Sequence, residues 1–156
     1  VFRAYATFRY HTAPETDGYR PDLQDLLESR FGLSTKKGDK PDTVHRKAFQ
    51  AYLRLLKATL AGQSGLGTPQ PWRSQLSVLQ GVGLVTVPDL VLREEGIASD
   101  LADLFGSDEY PDFPVPQQDV RSGLSSIYDG TIEKLVRSIY GRDYAAFGFS
   151  DWIATD

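Results

Sequence analysis

Two segments repeat apolar residues at the spacing of an α-helix, and this pattern constrains the fold more than any other feature of the chain. The first segment should start near Asp42 or Thr43, and its apolar residues lie three or four positions apart: Phe49, Leu53, Leu56 and Leu60. The second should start at about Thr131, and its stripe comprises Ile132, Leu135, Val136, Ile139 and Tyr140. Each helix must therefore bury one side against other elements.

Shorter helices are predicted in three further places. The apolar spacing in residues 1–10 predicts a helix that continues from before Val1, because no capping residue precedes it. Asp22 is expected to cap a short helix that Gly32 ends. A helix over Ile97–Phe105 should turn Leu101 and Leu104 inward and end at Gly106.

One strand stands out among these helices. Residues 90–92 form a short apolar run after Pro88 and Asp89, which is typical of a buried strand, and residues 84–87 form a similar run before them. Residues 107–126 contain three prolines and are predicted to form an extended, largely irregular connection. We therefore expect the chain to be mostly helical, with one or two short strands.

The composition fits a single folded domain over residues 1–156. Hydrophobic residues make up 40% and charged residues 24% of the chain, which are ordinary values for a globular protein. The net charge is −4, with basic residues interspersed among acids, so no overall field attracts nucleic acid or an anionic membrane. An anion site, if there is one, must be a local pocket.

The residue types exclude several kinds of chemistry. The chain has no cysteine, and so no disulfide, thiolate nucleophile or cysteine-based metal centre, and its two histidines argue against a His-rich metal site. No apolar run reaches the length of a membrane span, and the first residues lack the order of a signal peptide. The expectation is a soluble, cytoplasmic protein without a metal.

Three motifs follow one another in the second half of the chain. They are a W-x-x-Q loop at Trp72 and Gln75, a D-x-V-x-R-x-E sequence over residues 89–95, and an I-Y-x-x-D-x-x-x-F-G sequence over residues 139–148. Their order and spacing resemble the C-terminal part of the sulfotransferase family that uses 3'-phosphoadenosine-5'-phosphosulfate as donor. The resemblance implies an α/β, P-loop-like fold, with helices on both faces of a short parallel sheet.

The same resemblance implies the reaction and the donor-binding residues. Members of the family transfer a sulfuryl group to a hydroxyl, here expected on a carbohydrate, and need no metal. Arg3 lies where the family has a serine that binds the donor's 3'-phosphate, and Arg121 and Ser122 lie in the stretch that closes over the nucleotide. The family's Gly-rich loop with its lysine is expected to precede Val1.

The acceptor side carries two open questions. Trp72, Arg73 and Gln75 lie on the loop that faces the acceptor in relatives, but Trp72 can equally anchor that loop to the core. His11 is the candidate general base, because imidazole accepts a proton near neutral pH, and its alternative role is a helix cap or a surface residue. His45, in the first turn of the long helix, is expected at the surface.

Several charged residues have structural interpretations. Arg93, Glu95 and Asp100 are expected to form an ion pair at the joint between strand and helix. Asp143 should tie the last helix to its neighbours.

A non-catalytic helical binding or scaffolding module derived from the same fold is the alternative to an enzyme. The only Gly-rich run, at residues 62–67, lacks a following lysine and a preceding strand, and Pro71 replaces the histidine that many relatives have before the tryptophan. A lone strand also leaves backbone groups unpaired. Residues 90–92 should therefore pair with residues upstream of Val1, or the segment should assemble differently, for example as a homo-oligomer.

Overall fold

The computed structural model describes residues 1–68, 70–92, 96–106 and 118–152. Within these ranges it contains helices and no strand. The helices are α1 (Phe2–Thr12), α2 (Pro21–Arg30), α3 (Pro41–Leu60), α4 (Gln75–Gly83), α5 (Ile97–Phe105), α6 (Gln118–Ile127) and α7 (Gly130–Phe147), with a 3-10 turn at Gln70–Trp72. The chain divides into a unit of Val1–Leu76 with Pro116–Asp156, and a unit of Ser77–Val115.

The prediction of a mostly helical chain is confirmed, and that of a strand at residues 90–92 is wrong. These residues have no regular structure, and the side chains of Leu90 and Val91 are 52% and 51% exposed. A strand needs a partner for its backbone groups, and the described part of the chain supplies none. The α/β sheet that the resemblance implies stays a prediction.

The first unit is built around α3. This helix packs against α1, α2, α6 and α7, and α1 also packs against α2, α6 and the 3-10 turn. The ring of Phe8 lies 5.3 Å, between centroids, from both Phe49 and Tyr52, and all three side chains are buried. Aromatic rings at this separation contribute beyond the area that they bury, so the aromatic face of α3 forms the centre of the core.

The ends of the predicted helices follow the local rules closely. Gly32 and Gly106 adopt left-handed φ angles of 74° and 67° after α2 and α5, as a helix end requires. The predicted cap of α2 is wrong by two residues: Arg20 is the cap, because Pro21 takes the first helical position, and Asp22 lies in the first turn.

Two helices were missed by the sequence predictions. α4 was not predicted, and α6 occupies Gln118–Ile127, most of which was expected to be irregular. The apolar residues of α6 recur at helical spacing, with Leu124 and Ile127 fully buried and Val120 packed on the same core. This stripe was readable in the sequence, but the prolines before it masked the signal; residues 107–117 lie outside the described part.

Within the first unit, the C-terminal residues contact the buried carboxylate of Glu133, to which the backbone N–H of Trp152 donates at 3.4 Å. Glu133, 7% exposed, accepts a hydrogen bond from the Tyr128 hydroxyl and lies 3.3 Å from Nε of Arg137. The ring of Trp152 packs on Tyr128 at 4.5 Å and on Phe2 at 5.6 Å. Burial and the contact with Glu133 raise the pKa of the Tyr128 phenol, which therefore stays neutral.

The second unit has more exposed apolar side chains and less regular structure than the first. Of the two leucines of α5 predicted to face inward, Leu101 is buried, but Leu104 is 56% exposed, so that part of the prediction is wrong. Residues 84–92 follow α4 without regular structure beyond a turn at residues 84 and 85.

Candidate functional site

A shallow cleft of about 360 Å³ lies in the first unit, where α1 meets the 3-10 turn. It is lined by Ala6, Thr7, Tyr10, His11 and Pro71. The fold thus brings the candidate base His11 next to the loop that carries Trp72, although the two are far apart in sequence. The lining is largely apolar around one imidazole.

A single hydrogen bond fixes the orientation of His11. Its Nδ1 lies 3.0 Å from the backbone oxygen of Gly18. A carbonyl oxygen can only accept, so Nδ1 carries the hydrogen, and in the neutral imidazole the lone pair is then on Nε2. His11 therefore has the tautomer that a general base needs, with Nδ1–H used for orientation.

The loop after α1 is held against the helix end, and this keeps Gly18 in place. The backbone N–H of Arg20 donates to the His11 oxygen at 2.9 Å, and Thr16 Oγ1 donates to the oxygens of Tyr10 and Ala13. A Cβ on Gly18 would lie 1.9 Å from the Tyr10 ring, so a larger residue would require this half-exposed ring to move. The carbonyl that orients His11 is therefore part of a close-packed turn.

The structure favours the anchor interpretation of Trp72. Its side chain is 4% exposed, and its ring packs edge-on against Tyr52 at 5.7 Å. The backbone oxygen of Trp72 accepts a hydrogen bond of 3.0 Å from the Tyr140 hydroxyl. The indole therefore offers no face to a ligand in this structure, whereas its neighbour Pro71 lines the cleft and Arg73 and Gln75 have exposed side chains.

Asp143 joins the Trp72 loop to α7, as the sequence predicted. Its carboxylate accepts hydrogen bonds from Ser74 Oγ at 2.5 Å and from the backbone N–H groups of Gln75 and Leu76 at 3.0 Å. A negative charge at the first N–H groups of α4 is favourable, because these groups have no partner within the helix. Asp143 is 4% exposed, so the joint is shielded from water.

The three predicted donor-binding residues lie on one pair of packed helices. α1 carries Arg3 and packs against α6, which carries Arg121 and Ser122. The guanidinium of Arg121 lies over the ring of Phe2, 5.5 Å from its centroid. Arg3 and Arg121 are exposed, and neither pairs with a carboxylate in the described ranges.

Sequence reasoning missed a polar contact inside the aromatic core. His45 is half-buried, which corrects the prediction of a surface residue, and its Nε2 lies 3.1 Å from the Tyr5 hydroxyl. Burial lowers the pKa of His45, Arg9 lowers it further, and Asp42 opposes them. The signal was the helical spacing between His45 and Phe49, which places both on the same face of α3.

The predicted ion-pair group at the strand end lies mostly outside the described residues. This holds for Arg93 and Glu95, whereas Asp100 is exposed in the first turn of α5. No group of three or more His, Cys, Asp or Glu that could hold a metal ion occurs among the described residues. In the same part of the chain, no helix is both long enough and apolar enough to cross a membrane.

Comparisons of the chain with protein-family models, curated proteins and solved structures found no match. The resemblance to sulfotransferases therefore depends on the sequence motifs themselves, and the fold and the cleft must be judged by their own chemistry.

Proposed function

We propose that this chain belongs to a sulfotransferase-like protein that transfers a sulfuryl group from 3'-phosphoadenosine-5'-phosphosulfate to a hydroxyl, expected to be that of a carbohydrate. One observation carries the proposal: His11 and Pro71, the neighbour of Trp72, line a single cleft. The motif resemblance puts the acceptor at the Trp72 loop, and the cleft adds a proton acceptor at that point.

In the proposed reaction, Nε2 of His11 takes the proton of the acceptor hydroxyl. The acceptor oxygen forms a bond to sulfur while the bond from sulfur to the phosphate oxygen breaks, and the leaving phosphate keeps the electron pair. The hydrogen bond from Nδ1 to Gly18 holds the imidazole in position, so no reorientation is needed at the moment of transfer. The exposed side chains of Arg73 and Gln75 would bind the acceptor.

The donor would lie on the other end of α1. Arg3 and His11 are eight residues apart, which is about 12 Å along a helix axis. Arg3, Arg121 and Ser122 would bind the donor's phosphate through charge-assisted hydrogen bonds. The cationic end and the imidazole end of α1 would then contact donor and acceptor respectively.

Calorimetric titration with adenosine-3',5'-bisphosphate tests the donor site, using protein expressed from its complete gene. Binding should be measurable, and Arg121→Ala should weaken it by about 10-fold or more, because a hydrogen bond to a charged group is lost. Arg30→Ala, an exposed arginine on α2, is the matched control and should bind as the original protein does. Absence of binding heat would remove the sulfotransferase proposal.

Kinetics of the His11→Asn variant test the base. Asparagine retains an N–H donor for Gly18 but cannot take a proton, so kcat should fall by about 10²- to 10⁴-fold while nucleotide binding is unchanged. Thr7→Ala alters the same cleft without removing a titratable group and should keep kcat within a few-fold. An unchanged kcat for His11→Asn would exclude His11 as the base.

A non-catalytic helical module is the second candidate, favoured by the absence of a strand in the described ranges. The burial of Trp72 argues against this residue as the contact with its partner. A binding module of this kind would give no heat with the nucleotide. It would also show no transfer that depends on His11.

A further inference from the structure

Two residues from different parts of the first unit contact the ring of Phe2. The guanidinium carbon of Arg121, on α6, lies over this ring, 5.5 Å from its centroid. The indole of Trp152, which follows α7, meets the same ring edge-to-face, with 5.6 Å between centroids and an interplanar angle of 89°. Both separations lie within the range of favourable cation–π and aromatic contacts. Phe2 therefore links the C-terminal segment to an arginine of the predicted donor site.

The position of Trp152 is fixed by contacts of its own. Its ring packs on Tyr128 with 4.5 Å between centroids, and its backbone N–H donates to the buried carboxylate of Glu133 at 3.4 Å. The preceding residue, Asp151, accepts a hydrogen bond of 2.6 Å from Nε of Arg137 on α7. The indole therefore does not depend on α1 for its position, and it can hold a ring of α1 in place.

Arg121 needs such a support more than a buried residue would. Its side chain is exposed, and no carboxylate pairs with it in the ranges that the structure describes. An arginine side chain loses much rotamer freedom when it binds a ligand, and this loss weakens binding. A ring that already confines the guanidinium removes part of that loss beforehand.

We propose that Trp152 is a positioning residue for Arg121: through the ring of Phe2, it holds the guanidinium in the place where an anion is bound. The inference rests on the proposed function for the identity of that anion, which is a phosphate of the donor nucleotide. Trp152 acts through Phe2 and not by contact with the donor. The C-terminal segment thus becomes part of the donor site, which the sequence motifs did not indicate.

The order of the Arg121 side chain tests the positioning without any nucleotide. Nitrogen NMR relaxation of its Nε–H group should show more order in the original protein than in Trp152→Ala. Trp152→Phe keeps an aromatic ring and should restore much of that order. Phe149→Ala is the matched control, because Phe149 lies in the same segment but packs on Tyr144 and Phe147 of α7, and it should leave Arg121 ordered. Equal order in the original protein and in Trp152→Ala would overturn the proposal.

Calorimetric titration of the complete protein with adenosine-3',5'-bisphosphate tests the consequence for the donor site. Trp152→Ala should raise Kd by about 2- to 5-fold, the range expected for a lost cation–π contact at an exposed site. In an Arg121→Ala background the same change should have no effect, because Trp152 acts through Arg121. An unchanged Kd, or an equal loss in both backgrounds, would overturn the proposal. Absence of binding heat with the original protein would instead remove the proposed function, and the order of Arg121 would still decide whether Trp152 positions it.

Discussion

Helix α3 and the apolar run at residues 84–91 are both rich in leucine and other apolar residues, yet their exposure is opposite. Phe49, Leu53 and Leu56 of α3 are 0% exposed, whereas Leu84 in the run is 89% exposed. The difference comes from spacing. On α3 the apolar residues recur every three or four positions and share one face, while in the run they are nearly consecutive.

The spacing of apolar residues decides whether neighbouring helices can cover them. A helix with one apolar face can be covered by its neighbours in the same unit, as α1, α2, α6 and α7 cover α3. Residues 84–91 have no such repeat and no regular structure beyond a turn at residues 84 and 85, so they present no single apolar face to a neighbouring helix. The first region therefore stabilises the chain through its buried face, whereas Leu84, Val85 and Val87 stay exposed.

Truncation of one large side chain in each region gives the largest expected difference. Phe49→Ala should lower the free energy of unfolding by about 4 kcal/mol, because it removes buried area and leaves a cavity. Leu84→Ala should change it by less than about 0.5 kcal/mol, because this side chain is 89% exposed. Urea unfolding followed by circular dichroism measures both, and similar losses would break the comparison.

Removal of the Asp143 carboxylate should give the next largest loss in the free energy of unfolding. Asp143→Ala removes the acceptor for Ser74 and for two N–H groups of α4, so we expect a loss of about 3 kcal/mol in the free energy of unfolding. Asp151→Ala is the control, because Asp151 is exposed and pairs only with Arg137 among the described residues. Comparable losses in the two variants would show that Asp143 is not a buried joint.

The sequence predicts those parts of the fold that depend on local periodicity. α3, α5 and α7 were expected close to their observed bounds, because an apolar stripe and a glycine or polar cap mark each one. The strand at residues 90–92 was not correctly predicted, because an apolar run of three residues has no period, and its structure depends on what covers it.

The candidate site was predictable as residue types and not as geometry. His11 and the Trp72 loop were singled out separately, but their meeting at one cleft depends on how α1 packs against the 3-10 turn. The contact of Tyr5 with His45 was missed for the same reason, since it joins residues 40 positions apart. Burial also decided between the two roles of Trp72, and no sequence pattern could do so.

The cap of α7 gives a smaller effect that sharpens the account of the first unit. Asp129 accepts hydrogen bonds of 2.9 Å from the N–H groups of Thr131 and Ile132. Asp129→Ala should cost about 1 kcal/mol, whereas Asp129→Asn keeps an acceptor and should cost only a few tenths. Thermal melts of the two variants measure the difference. An Asp129→Ala variant as stable as the original protein would contradict the capping role.

The smallest expected effect is the pH dependence that His45 contributes. Its pKa is lowered in the folded protein, so below about pH 6.5 the unfolded chain binds a proton that the folded chain does not. The contribution of His45 to stability is therefore complete above that pH and is lost as the pH falls toward its folded pKa. The stability of His45→Gln, measured by urea unfolding at neutral and at acidic pH, should fall less on acidification than that of the original protein.

The orientation of His11 is the central claim for the site, and nitrogen NMR of the histidine rings tests it most directly. At a pH where the imidazole is neutral, the account predicts that the His11 signals report a hydrogen on Nδ1 and a lone pair on Nε2, because Nδ1 donates to Gly18. A neutral His11 with the hydrogen on Nε2 would contradict it, since the nitrogen free of Gly18 could then not take a proton from an acceptor.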